Sequence, residues 1–248
     1  MNLVVLVALS LVVGSALLMA VLAILRRNSA SVFRKLAAFQ SLNQAVGQAV
    51  EGGSRLHVSL GSASLVSQQA ASGLAGLSVL RGLGGIAAGS DLPPMATSGD
   101  PGLAVLSRDI LQSAHKESAV AGPFDPSTAR LAGLTPFSYA AGGMIAEANE
   151  GASANILLGS FGSEAGLLVD ASERQEAVLL GASDSLPGQA VLTAGSQHPL
   201  VGEELFATPE YIQHQVLHAA SLNVQDVLRW LIIASMLLGA VLKMAGVL

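Results

Sequence analysis

The chain carries an uninterrupted apolar run from Leu3 to Leu25 and a second from Val227 to Leu248, with mixed polar and apolar positions between them. At about 1.5 Å of rise per helical residue, either run can cross a hydrocarbon core of ~30 Å. A cleaved signal peptide would show a positive n-region and an apolar stretch of about 7–15 residues. Here only Met1 and Asn2 precede the first run, and Arg26, Arg27, Arg34 and Lys35 follow it, so the segment 1–27 reads as an anchor. Trp230 and Lys243 sit near the two ends of the second run, 227–248, where a tryptophan and a snorkelling lysine suit the membrane interfaces. The basic residues follow the first run, and Arg229 stands at the start of the second. By the positive-inside rule the middle of the chain is expected in the cytoplasm and both ends outside. Small residues recur four apart at Ser10 and Gly14, Ala16 and Ala20, and Ser235 and Gly239, a spacing that lets helices approach closely in lipid.

Between the runs, the segment 28–54 predicts an amphipathic helix from Ser31 to Val50. Val32, Leu36, Phe39, Val46 and Val50 fall on one side, and Gly52-Gly53 ends the pattern. With Arg34 and Lys35 beside the first run, this helix either rests on the membrane surface or packs on the domain and covers part of its core. The second reading is favoured. From 55 to 226, short apolar runs alternate with helical patterns. Strands are expected at Leu56–Leu60, Pro94–Ser98, Ala154–Gly159 and Ala177–Ala182. Helices are expected at Leu65–Leu80, Gly102–Glu117, Pro136–Ala148, Glu164–Gln175 and Pro187–Gln197, and a last one from Pro209 to Leu222 leads into the second run. This alternation predicts an α/β fold, a mostly parallel sheet flanked by helices (Rossmann-like), with one transmembrane helix at each terminus. The strands lack strict polar–apolar alternation, as expected when both faces are buried. Ser118 to Arg130, with Pro123, Asp125 and Pro126, reads as a long loop. The stretch Ser64–Leu83, rich in small residues such as Ser72 and Gly76 and charged only at Arg81, predicts a helix buried on most sides, part of whose cover would come from another subunit.

Composition narrows the function classes. Only 12% of residues are charged and 51% are apolar, with a mean hydropathy of +0.58, against about 25% charged in a soluble domain. The net charge of -5 and pI of about 5.5 argue against nucleic acid, whose phosphates require a basic stripe. The chain has no cysteine, which removes disulfides, thiolate catalysis, thiolate zinc sites and iron–sulfur clusters.

Asp100-Pro101, Thr135-Pro136 and Thr208-Pro209 each place a capping side chain before a proline, and Ser185-Leu186-Pro187 is a near variant. Such caps occupy the N–H groups that an anion-binding helix leaves open. The best ligand candidate is the turn Gly159-Ser160-Phe161-Gly162-Ser163-Glu164, after a strand and before a helix, where open α/β sheets bind ligands. It lacks the Gly-Lys-Ser/Thr of a phosphate loop and the GxGxxG pattern, so a tight turn with a serine cap is the competing reading. In a parallel sheet this turn would share one edge with those at Gly61-Ser62, Ser98-Gly99-Asp100 and Gly181–Asp184. Ser98, Asp100, Gly159, Ser160, Gly162, Ser163 and Asp184 would then line a rim able to hold a small polar ligand or dock a neighbouring subunit. Glu210, His214 and His218, four apart, would share a helix face, a weak metal candidate without the HEXXH signature. Ser160 lies in no G-x-S-x-G elbow, and His57, His115 and His198 attach to no serine by sequence, so no catalytic residue and no cofactor is assigned. His57, on a strand, reads as a hydrogen-bonded core histidine.

The segments LHVSLG from Leu56, ATSGD from Ala96, LAGLTPFSYAAG from Leu131, NILLGSFGSE from Asn155, GASDSLPGQAVL from Gly181, VGEELFA from Val201 and LHAASLNVQDVLRWL from Leu217 resemble a bacterial two-span membrane protein family classed as a domain of unknown function. The resemblance covers nearly the whole chain and implies the two-span layout, but no activity, cofactor or catalytic residue. Three functional expectations follow. The first is a structural scaffold that self-associates in the inner membrane, alone or with other membrane proteins. The second is a ligand-sensing domain coupled to a membrane partner. The third is a membrane-bound hydrolase or transferase, which requires a histidine beside Ser160 or Asp184.

Overall fold

The computed structural model describes residues 3–25, 34, 36–87, 90, 92–118, 123–197 and 199–246. In chain order its elements are α1 (Leu3–Leu25), α2 (Ala37–Gly52), β1 (Arg55–Gly61), α3 (Ala70–Ala87), β2 (Met95–Ser98), α4 (Pro101–Glu117), β3 (Ala129–Leu131), α5 (Pro136–Glu150), β4 (Ala152–Ser160), α6 (Ala165–Arg174), β5 (Val178–Ser183), α7 (Leu186–Gly195), α8 (Glu204–Ile212) and α9 (Val216–Met244). They form two compact units. Met1–Arg34 with His214–Leu248 make one, and Lys35–Gln213 the other.

In the second unit the strands lie in the order β3-β2-β1-β4-β5, all parallel. The chain runs outward from β1 through β2 to β3, then crosses back to β4 and β5, so the direction reverses between β1 and β4. Right-handed crossovers then place α3 and α4 on one face and α5 and α6 on the other. Side-chain packing agrees. Leu56, Val58, Leu60, Ile156 and Leu158 join the core under α2, α3, α4 and α8, whereas Leu157 and Leu179 pack with Tyr139, Leu168 and Leu192 of α5, α6 and α7. The sheet is therefore α/β and wholly parallel, with a fifth strand, β3, inside the segment expected to be loop.

The amphipathic helix is part of this body. α2 buries Ala38, Phe39, Leu42, Ala45, Val46 and Ala49, and Phe39 stacks on Tyr211 of α8 with ring centroids 4.1 Å apart. That apolar side faces the sheet, so α2 packs on the body and covers part of its core. Ser31, Val32 and Lys35 of the expected helix, with Arg26 and Arg27, lie outside the described residues.

α3 is long and apolar enough to cross a membrane by composition alone, yet 61% of it is buried, because it is the crossover between β1 and β2. Its small residues explain how it fits. A Cβ at Gly76 would run into the Leu158 carbonyl, and Gly73 and Gly82 meet Leu103 and Ile212. The cover expected from another subunit comes largely from this chain's own β1, β4, α4 and α8.

Helix starts follow the capping rule in three of four expected places. Asp100 Oδ1 accepts from Leu103 N–H at 3.0 Å, Thr135 and Ser138 form a capping box, and Ser185 Oγ accepts from Gly188 N–H at 3.3 Å. Thr208-Pro209 is different. Pro209 lies inside α8, and Thr208 Oγ1 donates back to the Glu204 carbonyl at 2.7 Å. The helix expected at Pro209–Leu222 is in fact two, separated by extended backbone at Gln213 and Gln215. α9 then runs unbroken from Val216, and the second compact unit closes at Gln213.

In the first unit α1 packs along α9, and both are long and apolar enough to span a membrane. On α1 the residues withdrawn from solvent are Ser15, Leu18, Met19, Leu22 and Ala23, one helical face. The small pairs Ser10 and Gly14, and Ala16 and Ala20, are exposed instead.

Gly76→Leu is expected to destabilise the body by about 2–3 kcal/mol, the upper range for overpacking, because backbone rather than a movable side chain blocks the space. Ala71→Leu, on the exposed side of the same helix, should change stability by less than about 0.5 kcal/mol. Denaturation midpoints of the detergent-solubilised protein compare the two.

Candidate functional site

Because all strands are parallel, the turns after them gather at the carboxyl edge of the sheet, and the expected rim residues lie there. Several of their polar groups are turned inward or toward neighbouring backbone. Ser98 is buried, and its hydroxyl donates to the Asp100 carbonyl at 3.2 Å, while the Asp100 carboxylate caps α4. Gly159 sits inside β4, where any side chain would strike the Leu60 carbonyl. Ser160 is half-buried, and its carbonyl accepts from Ser62 N–H at 3.0 Å. Gly162 N–H donates to Glu164 Oε1 at 2.7 Å, so the turn that most resembles an anion site is filled by its own carboxylate. Glu164 is buried there, and Ser163 and Asp184 remain exposed.

Main-chain bonds close the edge further. Gly99 N–H donates to the Gly61 carbonyl at 2.9 Å and Ala132 N–H to the Ser98 carbonyl at 2.9 Å, carrying the ladder beyond the strand ends. Between β1 and β4, where the strand order reverses and open sheets form a crevice, Gly61 takes φ +76° and its N–H donates to the Tyr139 hydroxyl at 3.0 Å. Ser183 Oγ accepts from Phe161 N–H at 3.0 Å, beside the β4 turn.

Below this edge, on the α5 and α6 side, lies a polar cluster with no solvent contact. His57 Nε2 is 2.8 Å from Thr97 Oγ1, and His57 Nδ1 is 3.2 Å from Asn155 Oδ1 and 3.1 Å from Glu147 Oε1. Asn155 Nδ2 donates to Ser172 Oγ at 2.9 Å, and Ser172 donates to the Leu168 carbonyl at 2.9 Å. Since the Asn155 amide nitrogen faces Ser172, its oxygen faces His57, and the Nδ1 proton belongs on the imidazole. Tyr139 bonds to Ser59 and Thr97, linking the cluster to the carboxyl edge. Glu147 Oε1, fully buried, accepts no hydrogen bond of good geometry despite the nearby imidazole. Burial pushes the Tyr139 phenol from its ordinary 10.0 up to about 12, against the opposing pull of its bonds to Ser59, Gly61 and Thr97.

His57 is thus a hydrogen-bonded core residue. It meets neither Ser160 nor Asp184, which the hydrolase reading required of a histidine. Sequence reasoning missed Glu147, Asn155, Thr97 and Tyr139 as its partners. The usable signal was the alternation Leu56-His57-Val58-Ser59-Leu60, which sends a polar side chain to one face at every second residue.

The metal candidate does not assemble on one helix. Glu210 is on α8, His214 lies in the extended break, and His218 is on α9, because Gln213 and Gln215 interrupt the helical spacing. Among the described residues no group of three or more His, Asp or Glu could hold a metal ion. His198 lies outside the described residues.

A family model matches residues 1–248, the whole chain. The chain belongs to the family Domain of unknown function (DUF6754). No curated protein and no solved structure matches it. Membership therefore groups the closed carboxyl edge and the buried cluster with a family description that carries no activity.

Two outcomes are expected of the cluster. Glu147→Gln or His57→Ala, by removing one partner of a buried pair, should each cost about 3–5 kcal/mol, whereas His57→Leu with Glu147→Met should cost far less than their sum; urea denaturation of the four proteins reads this. For Tyr139 the folded protein holds the neutral phenol more tightly than the unfolded chain does. Its contribution to stability is complete below pH 10 and is lost as pH rises from 10.0 through about 12. Tyr139→Phe should abolish that component of the alkaline loss, and the tyrosinate absorbance of the folded wild type should lag that of the unfolded chain.

Proposed function

We propose that the protein is a membrane-anchored scaffold that self-associates, held by α1 and α9 in the inner membrane of a bacterium with its α/β body on the cytoplasmic side, and that it performs no catalysis. The observation that carries this reading is the state of the carboxyl edge. Its polar groups are largely used by the chain itself, and beside exposed Gln68, Gln69 and Asp184 it turns three large apolar side chains outward: Val66 is 96% exposed, Leu186 81% and Leu134 70%. An edge so built favours a protein surface over a small polar ligand, because exposed apolar patches mark association sites. The spans supply the membrane part of the reading, and the basic residues Arg34 and Arg229 near their inner ends supply the orientation. The acidic net charge keeps nucleic acid out of the partner list.

A second reading, a ligand-sensing domain that reports to a membrane partner, is favoured by one observation: within a polar cluster, the fully buried Glu147 Oε1 has the His57 imidazole beside it but accepts no hydrogen bond of good geometry. Stabilisation in a thermal-shift screen with nucleotides and small polar metabolites would favour it over the scaffold.

The scaffold reading expects the protein to stay in vesicles through alkaline carbonate extraction and to leave detergent micelles as a single oligomer in native mass measurement. Release by carbonate, or monomer alone at every detergent concentration, overturns it.

A further inference from the structure

α5 differs from its neighbours in what it turns outward. α4 exposes Arg108, Asp109, Lys116 and Glu117, and α6 exposes Glu173 and Arg174. α5 exposes Phe137, Ile145 and Ala148, holds Ala141 half-buried among them, and is preceded by exposed Leu134. No charge interrupts this stripe. Glu147 is turned into the core, and Glu150, at the helix end, is held by Arg55 and Arg130. Positions 137, 141, 145 and 148 fall on one helical face, and Leu134 adds a residue just before it.

The stripe also reads the same from either end. Leu134 and Ala148 each stand seven residues from Ala141, and Phe137 and Ile145 each stand four. A contact across a twofold axis must be self-complementary, residue i meeting j while j meets i. An apolar stripe symmetric about a small central residue meets that requirement when two copies run antiparallel. Large side chains then meet across the axis as Phe137 with Ile145, Leu134 lies against Ala148, and the two Ala141 residues allow close approach at the crossing.

We propose that α5 is the self-association surface of the body, pairing antiparallel with α5 of a second copy and crossing at Ala141. The inference rests on the self-associating reading above and names its surface. The area argues for where it operates. A patch of this type covers on the order of 300–600 Å², short of the ~800 Å² per partner in a standard soluble interface. Two copies anchored in one membrane are confined together, and effective concentration makes up the difference.

The chain has no native cysteine, so one introduced thiol reports its own neighbourhood. Full-length Ala141→Cys in liposomes should form a disulfide-linked dimer under mild oxidation, since Cα atoms at the crossing fall within the ~4.4–6.8 Å a disulfide spans. Ala71→Cys, on the exposed side of α3, should remain monomeric on the gel. Adding Ile145→Glu should lower the Ala141→Cys dimer about tenfold, because it buries a charge, with the thermal midpoint unchanged at this exposed position. Ala141→Cys that cross-links no better than Ala71→Cys overturns the proposal. If native mass still shows an oligomer in that case, self-association stands and α5 is not its surface; if only monomer appears, both readings fall.

Discussion

β1 has a neighbour on each side and helices on both faces, and its carboxyl end must fit between them with almost no lateral room. Gly61 turns there at φ +76°, and a side chain on Gly159 would strike the Leu60 carbonyl. With side chains absent at these points, Ser62 reaches the Ser160 carbonyl and Gly99 reaches that of Gly61. The consequence is chemical as well as steric. An open α/β sheet offers ligands a crevice where its strand order reverses; here that place is filled by main chain, and Tyr139 bonds to it from beneath.

The same strand decides where the polar groups went. Leu56, Val58 and Leu60 point into a core made almost wholly of aliphatic side chains, while His57 and Ser59 point the other way, into α5 and α6. Seven polar side chains on that face, His57, Ser59, Thr97, Tyr139, Glu147, Asn155 and Ser172, are 0% or 1% exposed. A buried cluster of this kind adds less stability than an apolar core of the same volume, but its bonds are directional, so α5 and α6 have one seating on the sheet in which they are satisfied. α5 is thereby fixed by its inner face, and its outer face is left without an internal partner.

Much of this fold was legible because it rests on local rules. The caps at Asp100, Thr135 and Ser185 and the positions of β1, β2, β4 and β5 follow from turn chemistry and apolar runs. What was not legible depends on distant parts of the chain. β3 is three residues long and shows no period; it is a strand because β2 offers it an edge. Thr208-Pro209 has the same letters as a helix start, but the α8 turn before it had already formed, and Thr208 bonds back to Glu204. The spacing of Glu210, His214 and His218 looked helical because only three residues separate α8 from α9, and the extended residues at Gln213 and Gln215 carry no obvious sequence mark. β1 departs from the expected lack of alternation, since Leu56, Val58 and Leu60 alternate with His57 and Ser59, yet both its faces are buried as expected, because polar partners on α5 and α6 meet the second face. At the rim, the residues sit at the expected edge, but only coordinates could tell that Glu164 folds onto Gly162.

The two units solve the same problem of unpaired groups by different means. In α1 and α9 the hydroxyls of Ser10, Ser15 and Ser235 donate to carbonyls three residues back, Val7, Val12 and Ile232, so these hydroxyls need no outside partner. Apart from polar residues near the ends of α9, what they expose, Val4, Leu17, Leu237 and their neighbours, is apolar, as a hydrocarbon setting would require. In the body, too, much of the polar bonding is internal, and α5 and the carboxyl edge expose several large apolar side chains, Phe137, Ile145, Leu134, Val66 and Leu186. The proposed bilayer setting would account for the first surface. It does not account for the second, which lies on a folded α/β unit with ion pairs at its opposite edge, Arg55 and Arg130 to Glu150. Surface of that kind is stable in water only at a cost that burial against another protein removes.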